Sequence, residues 1–189
     1  TITDADGDDS SAVADIGGAV TFLDAGPQVN AIEVTSSVSV DETDAGQAFT
    51  EAGISNTSAG AIVSAETLFG ADGRAAANAV VYSLELSGSN GDTVLQTSSG
   101  AHAITLVRES DTSYAGQYTD GDVTHTAFTV TIDPDSGRLT VTQYVALEHG
   151  SADSEIDSNE PVDLAGYLSA RITITDADGD DSSAVADIG

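Results

Sequence analysis

The sequence predicts an all-β sandwich. Apolar residues alternate with polar ones at period two in run after run, the pattern of strands with one buried face. The runs are short and separated by clusters of Gly, Asn, Asp and Ser, which favour tight turns. Helical periodicity is weak, and only residues 75–79 (AAANA) suggest one short helical turn. Many short strands with this punctuation point to two packed sheets.

Along the chain, the first candidate strands are residues 20–23 (VTFL), 32–34 (IEV) and 38–40 (VSV). In residues 81–86 (VYSLEL), Tyr82, Leu84 and Leu86 share a face. The turn at residues 88–92 (GSNGD) carries an Asn-Gly pair and leads into residues 93–95 (TVL), so these two runs are expected to form a hairpin. Residues 103–107 (AITLV) give the next strand. Phe128, Val130 and Ile132 alternate with Thr129 and Thr131. After the turn Asp133-Pro134-Asp135-Ser136-Gly137, residues Leu139, Val141, Val145 and Leu147 alternate again, and residues 171–175 (RITIT) close the series. At 189 residues a sizeable core can be buried, and 40% hydrophobic content with clear strand patterning argues against disorder.

The charge is strongly one-sided. There are 32 acidic residues against 4 basic ones, a net charge of -28, and every basic residue is an arginine. Such a surface repels phosphate backbones and anionic lipid, so no nucleic acid is expected as a partner. No apolar run approaches a membrane span, so no membrane insertion is expected. Cysteine is absent, which removes disulfides, thiolate catalysis and Cys-type zinc sites. With no initial methionine and no signal-like segment, the sequence reads as an internal part of a longer protein.

No residue pattern recommends an enzyme or a small-molecule substrate. His102, His125 and His149 fit no HExxH motif, and nucleophile-elbow, phosphate-loop and dinucleotide fingerprints are missing. Acids are too abundant for two of them to stand out as a glycosidase pair, and there is no tryptophan for a sugar-stacking platform. His125 reads as a strand-surface residue and His149 as a structural corner bonded to the acidic loop nearby.

The ends of the chain carry a duplication. Residues 1–17 read TITDADGDDSSAVADIG, and residues 173–189 read the same seventeen letters. The offset of 172 residues (173 − 1) is far longer than the roughly 20–50 residues of solenoid and propeller units. Each period is therefore a whole domain. Residues 1–17 read as the tail of a preceding repeat, and residues 18–189 as one complete repeat ending in the copied junction.

That junction concentrates carboxylates: Asp4, Asp6, Asp8 and Asp9 in the first copy, Asp176, Asp178, Asp180 and Asp181 in the second. At a separation of ~5 Å and an effective dielectric of ~20, each close pair repels by roughly 3 kcal/mol. A compact loop is disfavoured unless a cation sits inside it. Alternate Asp residues around a Gly aim oxygens at a common centre, and hard oxygen ligands in an irregular loop suit Ca²⁺. The alternative is a solvated acidic turn of a salt-adapted protein. An EF-hand does not fit, because Asp9 and Asp181 fall where that loop needs Gly. Ligands distant in sequence are expected to complete the sites. Candidates are Asp24 in LDAGP, and Asp41 and Glu42 in VSVDETD, while Asp153, Glu155, Asp157 and Glu160 form a further acidic loop. Asp120, Asp122, Asp133 and Asp135 read as turn formers.

The junction DADGD and the following FLDAGP resemble the linker of extender repeats in giant RTX adhesins exported by type I secretion. Further similar pieces are VSVDETD (residues 38–44), LFGADG (68–73), VVYSLELSG (80–88) and LTVTQYVALEHG (139–150), in the family's order and over much of the period. The resemblance implies an Ig-like β-sandwich that acts as a calcium-stabilised, non-catalytic spacer in biofilm-associated cell adhesion. It implies an extracellular, cell-surface location on a bacterium, with neighbouring identical or near-identical repeats as partners and a monomeric single unit. By position, its calcium acids fall on Asp4, Asp6, Asp8, Asp176, Asp178 and Asp180, with Asp41 and Glu42. The chain departs from the pattern at Ala25, where a second acid is expected before Gly26. The other reading of the same domain is a carbohydrate- or protein-binding module.

Overall fold

A computed structural model describes residues 1–45, 49–88, 90–149 and 161–189. Among them are thirteen strands and no α-helix. A six-stranded antiparallel sheet holds β4 (Ile54–Ala61), β7 (Asp92–Gln96), β8 (Ala103–Ser110), β9 (Ser113–Asp120), β10 (Val123–Ile132) and β11 (Arg138–Gln143), in the order β4-β11-β10-β9-β8-β7. A three-stranded sheet holds β6 (Val80–Leu86), β12 (Leu168–Thr175) and β13 (Asp181–Asp187), with β12 central. Two strand pairs complete the set: β3 (Gln28–Val34) with β5 (Val63–Leu68), and β1 (Ile2–Thr3) with β2 (Asp9–Ser10). The all-β sandwich expected from the alternation is the observed architecture.

The core lies between the two larger sheets. Ile104, Leu106, Tyr114, Phe128, Val130, Ile132 and Leu139 face Leu84, Leu168, Ala170, Ile172 and Ile174, with Ile62 and Val63 alongside. Register follows turn chemistry. Asp133 Oδ1 accepts N–H bonds from Ser136 (2.7 Å) and Asp135 (3.2 Å), fixing the β10–β11 hairpin so that Val130 opposes Val141. Gly121, at φ 60°, makes the β9–β10 turn between Asp120 and Asp122. Gly116 faces Phe128 across the ladder, and a Cβ there would overlap the ring, so only glycine lets the aromatic lie flat in the core.

Several local expectations give way to tertiary context. Residues 81–86 and 93–95 do not form a hairpin: β6 pairs with β12, and β7 with β8. The far edge of β6 is already occupied, because Tyr82 and Leu84 donate to the carbonyls of Pro134 (3.0 Å) and Asp111 (2.8 Å). With both edges used, the chain after the Asn-Gly turn crosses to the other sheet. Residues 20–23 are not a strand; they find no ladder partner, and Phe22 is 94% exposed. Residues 38–40 run beside β4 without a ladder, held by Asn56 Nδ2 donating to Ser39 O (2.8 Å). Residues 75–79 form no helical turn; Asn78 sits at φ 53° and Ala75 N donates to Thr175 O instead (3.1 Å). Strands β4, β5, β9 and β13 carried too much Ser, Gly, Ala and charge to stand out by pattern.

Candidate metal centre

Both copies of the acidic stretch fold into the same turn. Asp4 N donates to Asp8 O (3.0 Å), and Asp176 N to Asp180 O (3.1 Å). The first aspartate of each turn accepts two N–H bonds through Oδ1. The donors are Asp6 (3.3 Å) and Asp8 (3.0 Å) in the first copy, and Gly179 (3.1 Å) and Asp180 (2.8 Å) in the second. Gly7 and Gly179 hold φ 96° and 104°, a backbone that a side chain would strain. Once the backbone closes this way, the carboxylates converge. Ligand oxygens of Asp4, Asp6 and Asp8 lie within 4.8 Å of one another, and so do those of Asp176, Asp178 and Asp180.

Asp9 and Asp181 stand outside these groups. They begin the outgoing strands and accept the hydroxyls of Thr3 (2.5 Å) and Thr175 (2.6 Å). Asp41 caps a 3₁₀ turn, taking the N–H (2.9 Å) and hydroxyl (2.6 Å) of Thr43, which hold its carboxyl below the usual value. Glu42 Oε1 accepts from Gln143 Nε2 (2.5 Å) and Leu147 N (2.9 Å) and lies 3.3 Å from His149 Nε2. Glu42 is thus tied to a corner of the sandwich, and neither it nor Asp41 belongs to a carboxylate triad among the described residues. The bond expected from His149 to the acidic loop nearby falls on residues outside those described; the contact seen is the one to Glu42. The acidic loop of Asp153, Glu155, Asp157 and Glu160 lies outside the described residues.

The two turns differ in what surrounds them. The β1–β2 turn is exposed. The β12–β13 turn receives the segment after β5: Ala177 N donates to Gly73 O (3.0 Å), and the backbone of Arg74 forms a single antiparallel β-bridge with that of Asp176. Arg74 in turn lies 4.8 Å over the Phe69 ring. This docking carries Asp72 to Asp178. Gly70, at φ 71°, presses on the backbone of Ala25 so closely that a Cβ would overlap its carbonyl oxygen, and Asp24 comes in as well. Asp24, Asp72 and Asp178 form a further triad within 4.8 Å, sharing Asp178 with the turn itself. Asp24 was legible as a candidate. Asp72 was not, because a single Asp in LFGADG acquires its neighbours through pairing with a strand about a hundred residues later.

The electrostatics report crowding. Asp178 is pushed up to about 6, first by the side-chain hydrogen bond with Asp176, then by burial and by the charges of Asp176, Asp24 and Asp72. Asp180 is also raised, chiefly through Asp24 and then Asp176. Burial acts to raise Asp176, but the bond with Asp178 and the N–H groups of Asp180 and Gly179 outweigh it and hold that carboxyl low. Asp176 is only 1% exposed, and its Oδ2 is the one buried side-chain N or O atom among the described residues with no hydrogen-bond partner. A buried anionic oxygen without a donor is costly, and a bound cation or an ordered water would satisfy it. The donor set is all oxygen, in an irregular turn, as hard divalent ions prefer. The grouped acids can hold a metal ion.

Among the described residues, no helix is long and apolar enough to cross a membrane. No curated protein and no solved structure matches the chain. One family pattern matches residues 37–189, a span that contains both sheets, Asp72 and the complete second turn. On that match the chain belongs to the family described as domain of unknown function DUF5801.

Proposed function

We propose that this domain is a non-catalytic extender of a bacterial surface adhesin, made rigid by Ca²⁺ at its acidic turns, so that distal adhesive domains project from the cell. Residues 1–17 end a preceding repeat, and residues 18–189 form a complete one. The observation that carries this reading is the buried, donorless Oδ2 of Asp176 at the centre of a carboxylate group, in a turn that the sequence repeats at the other end of the domain. Without calcium the turns repel and the junction flexes. With calcium they close around the ion and hold consecutive repeats at a fixed angle. Low cytosolic calcium suits export of such a chain before it folds.

At a Kd of about 10⁻⁴ M, typical of extracellular modules, about 10 mM calcium stabilises the fold by about 2.7 kcal/mol per site. For a domain of this size that is roughly 5–10 °C in Tm per ion. Calcium titrated into EDTA-treated protein should release heat and raise Tm on one curve, while sodium at equal ionic strength does neither. Superimposable melting curves in EDTA and in millimolar calcium would refute the reading. The carbohydrate-binding alternative finds no support in the aromatic stack around Tyr118. The surface aromatic stack places Tyr118 between His102 (5.6 Å) and His125 (5.3 Å), which occupies the ring faces a sugar would use. A glycan array on the isolated domain tests that directly.

A further inference from the structure

Asp24 lies in the leading segment of the domain, before the first core strand, whereas Asp176, Asp178 and Asp180 lie in the turn through which the chain leaves β12. Residues 17–26 contribute no strand to either sheet, and Val20, Phe22 and Leu23 are exposed, so little apolar packing holds this stretch to the sandwich. Its attachment to the turn is polar and tight. Gly70 closes on the backbone of Ala25, the position of a Cβ on Gly26 lies 3.8 Å from Asp180 Oδ2, and Asp24 reaches both Asp178 and Asp180. In the absence of a cation these contacts set three negative groups, Asp24, Asp72 and Asp178, against one another.

We propose that Asp24 and Asp72 are ligands of the same cation site as Asp176, and that the ion works as a clasp: its binding docks the leading segment onto the exit turn, and its loss releases that segment while the sandwich persists. This rests on the calcium reading above and adds which side chains connect the ion to the junction. The donorless Asp176 Oδ2 marks where the group is short of positive charge. Asp24 and Asp72 are the carboxylates that convert occupancy there into a position for residues 17–26. The sandwich needs only the turn's own aspartates to feel calcium, whereas the junction needs the two remote ones.

The test uses the whole chain, stripped with EDTA and titrated with calcium chloride. Tm is followed alongside hydrogen exchange of residues 18–27 and 69–73, in wild type, Asp24→Asn, Asp72→Asn and a charge-matched surface control, Asp122→Asn. In wild type and the control, protection of residues 18–27 should rise on the same calcium curve as Tm. In Asp24→Asn and Asp72→Asn, calcium should still raise Tm, with affinity weaker by on the order of tenfold, while residues 18–27 remain unprotected at saturation. If both variants protect the segment like wild type, the clasp is wrong and the calcium reading stands. If calcium moves neither Tm nor protection in wild type, both fall.

Discussion

Asp176→Asn separates the two roles of this carboxylate. Asparagine keeps a carbonyl oxygen, so the N–H bonds from Gly179 (3.1 Å) and Asp180 (2.8 Å) survive. The negative charge and the donorless Oδ2 are lost. Losing one of the turn's carboxylates should weaken calcium binding on the order of 100-fold. At about 10 mM calcium, a site with a Kd of about 10⁻⁴ M contributes about 2.7 kcal/mol, and at about 10⁻² M about 0.4 kcal/mol. The difference of about 2.3 kcal/mol corresponds to roughly 5–9 °C in Tm. In EDTA no ion is bound, so the calcium-dependent part of the difference between the two proteins should vanish. The identical substitution Asp4→Asn should leave the sandwich transition unchanged in both conditions, because β1 and β2 pair only with each other. Scanning calorimetry of the three proteins in EDTA and in calcium decides it. Full retention of the calcium-dependent shift by Asp176→Asn would refute the assignment.

Three further outcomes follow from the same geometry. Ile174 is fully buried while Ile2, in identical local sequence, is 76% exposed, so Ile174→Ala should cost about 2–5 kcal/mol in urea unfolding and Ile2→Ala less than about 0.5; equal costs would refute the different packing of the two copies. Gly116→Ala forces a methyl into the Phe128 ring, and in a close-packed core that should cost about 1–3 kcal/mol, read by the same unfolding curves, with an unchanged midpoint counting against the packing described. In EDTA, stability should fall as pH rises from 4 to 7. Asp178, raised to about 6 from an ordinary 3.8, and Asp180, also raised, bind protons more tightly folded than unfolded; the lowered Asp41, Asp133 and Asp176 act oppositely, losing their contribution only below pH 4. Calcium needs the deprotonated carboxylates, so its stabilisation should shrink below pH 6; a calcium-free Tm that rises steadily from pH 4 to 7 would contradict this.

Local sequence alone determined a good deal. Period-two alternation located β6, β8, β10, β11 and β12, because a strand with one buried face must place apolar groups at every second residue. The DADGDD turn was legible too, and it closes the same way twice: glycine at positive φ, the first Asp bonded to its own turn, three carboxylates within reach. These features depend on bonds spanning a few residues, so they travel with the letters.

Burial and partnership do not travel with them. The same seventeen residues give an exposed hairpin at one end and, at the other, the end of a central strand with Ile174 in the core and Asp176 stripped of water. The difference lies in β6, which ladders to β12 but offers nothing to β1. Tertiary pairing also sent β6 and β7 to different sheets across an Asn-Gly turn, tied Glu42 to Gln143 and Leu147, and carried Asp72 and Asp24 to Asp178. Apart from the β7–β8 ladder, each of these rests on hydrogen bonds and contacts between segments tens to more than a hundred residues apart. A carboxylate's neighbours are set by which edges and faces remain unoccupied when the sheets close, and no window of local sequence contains that information.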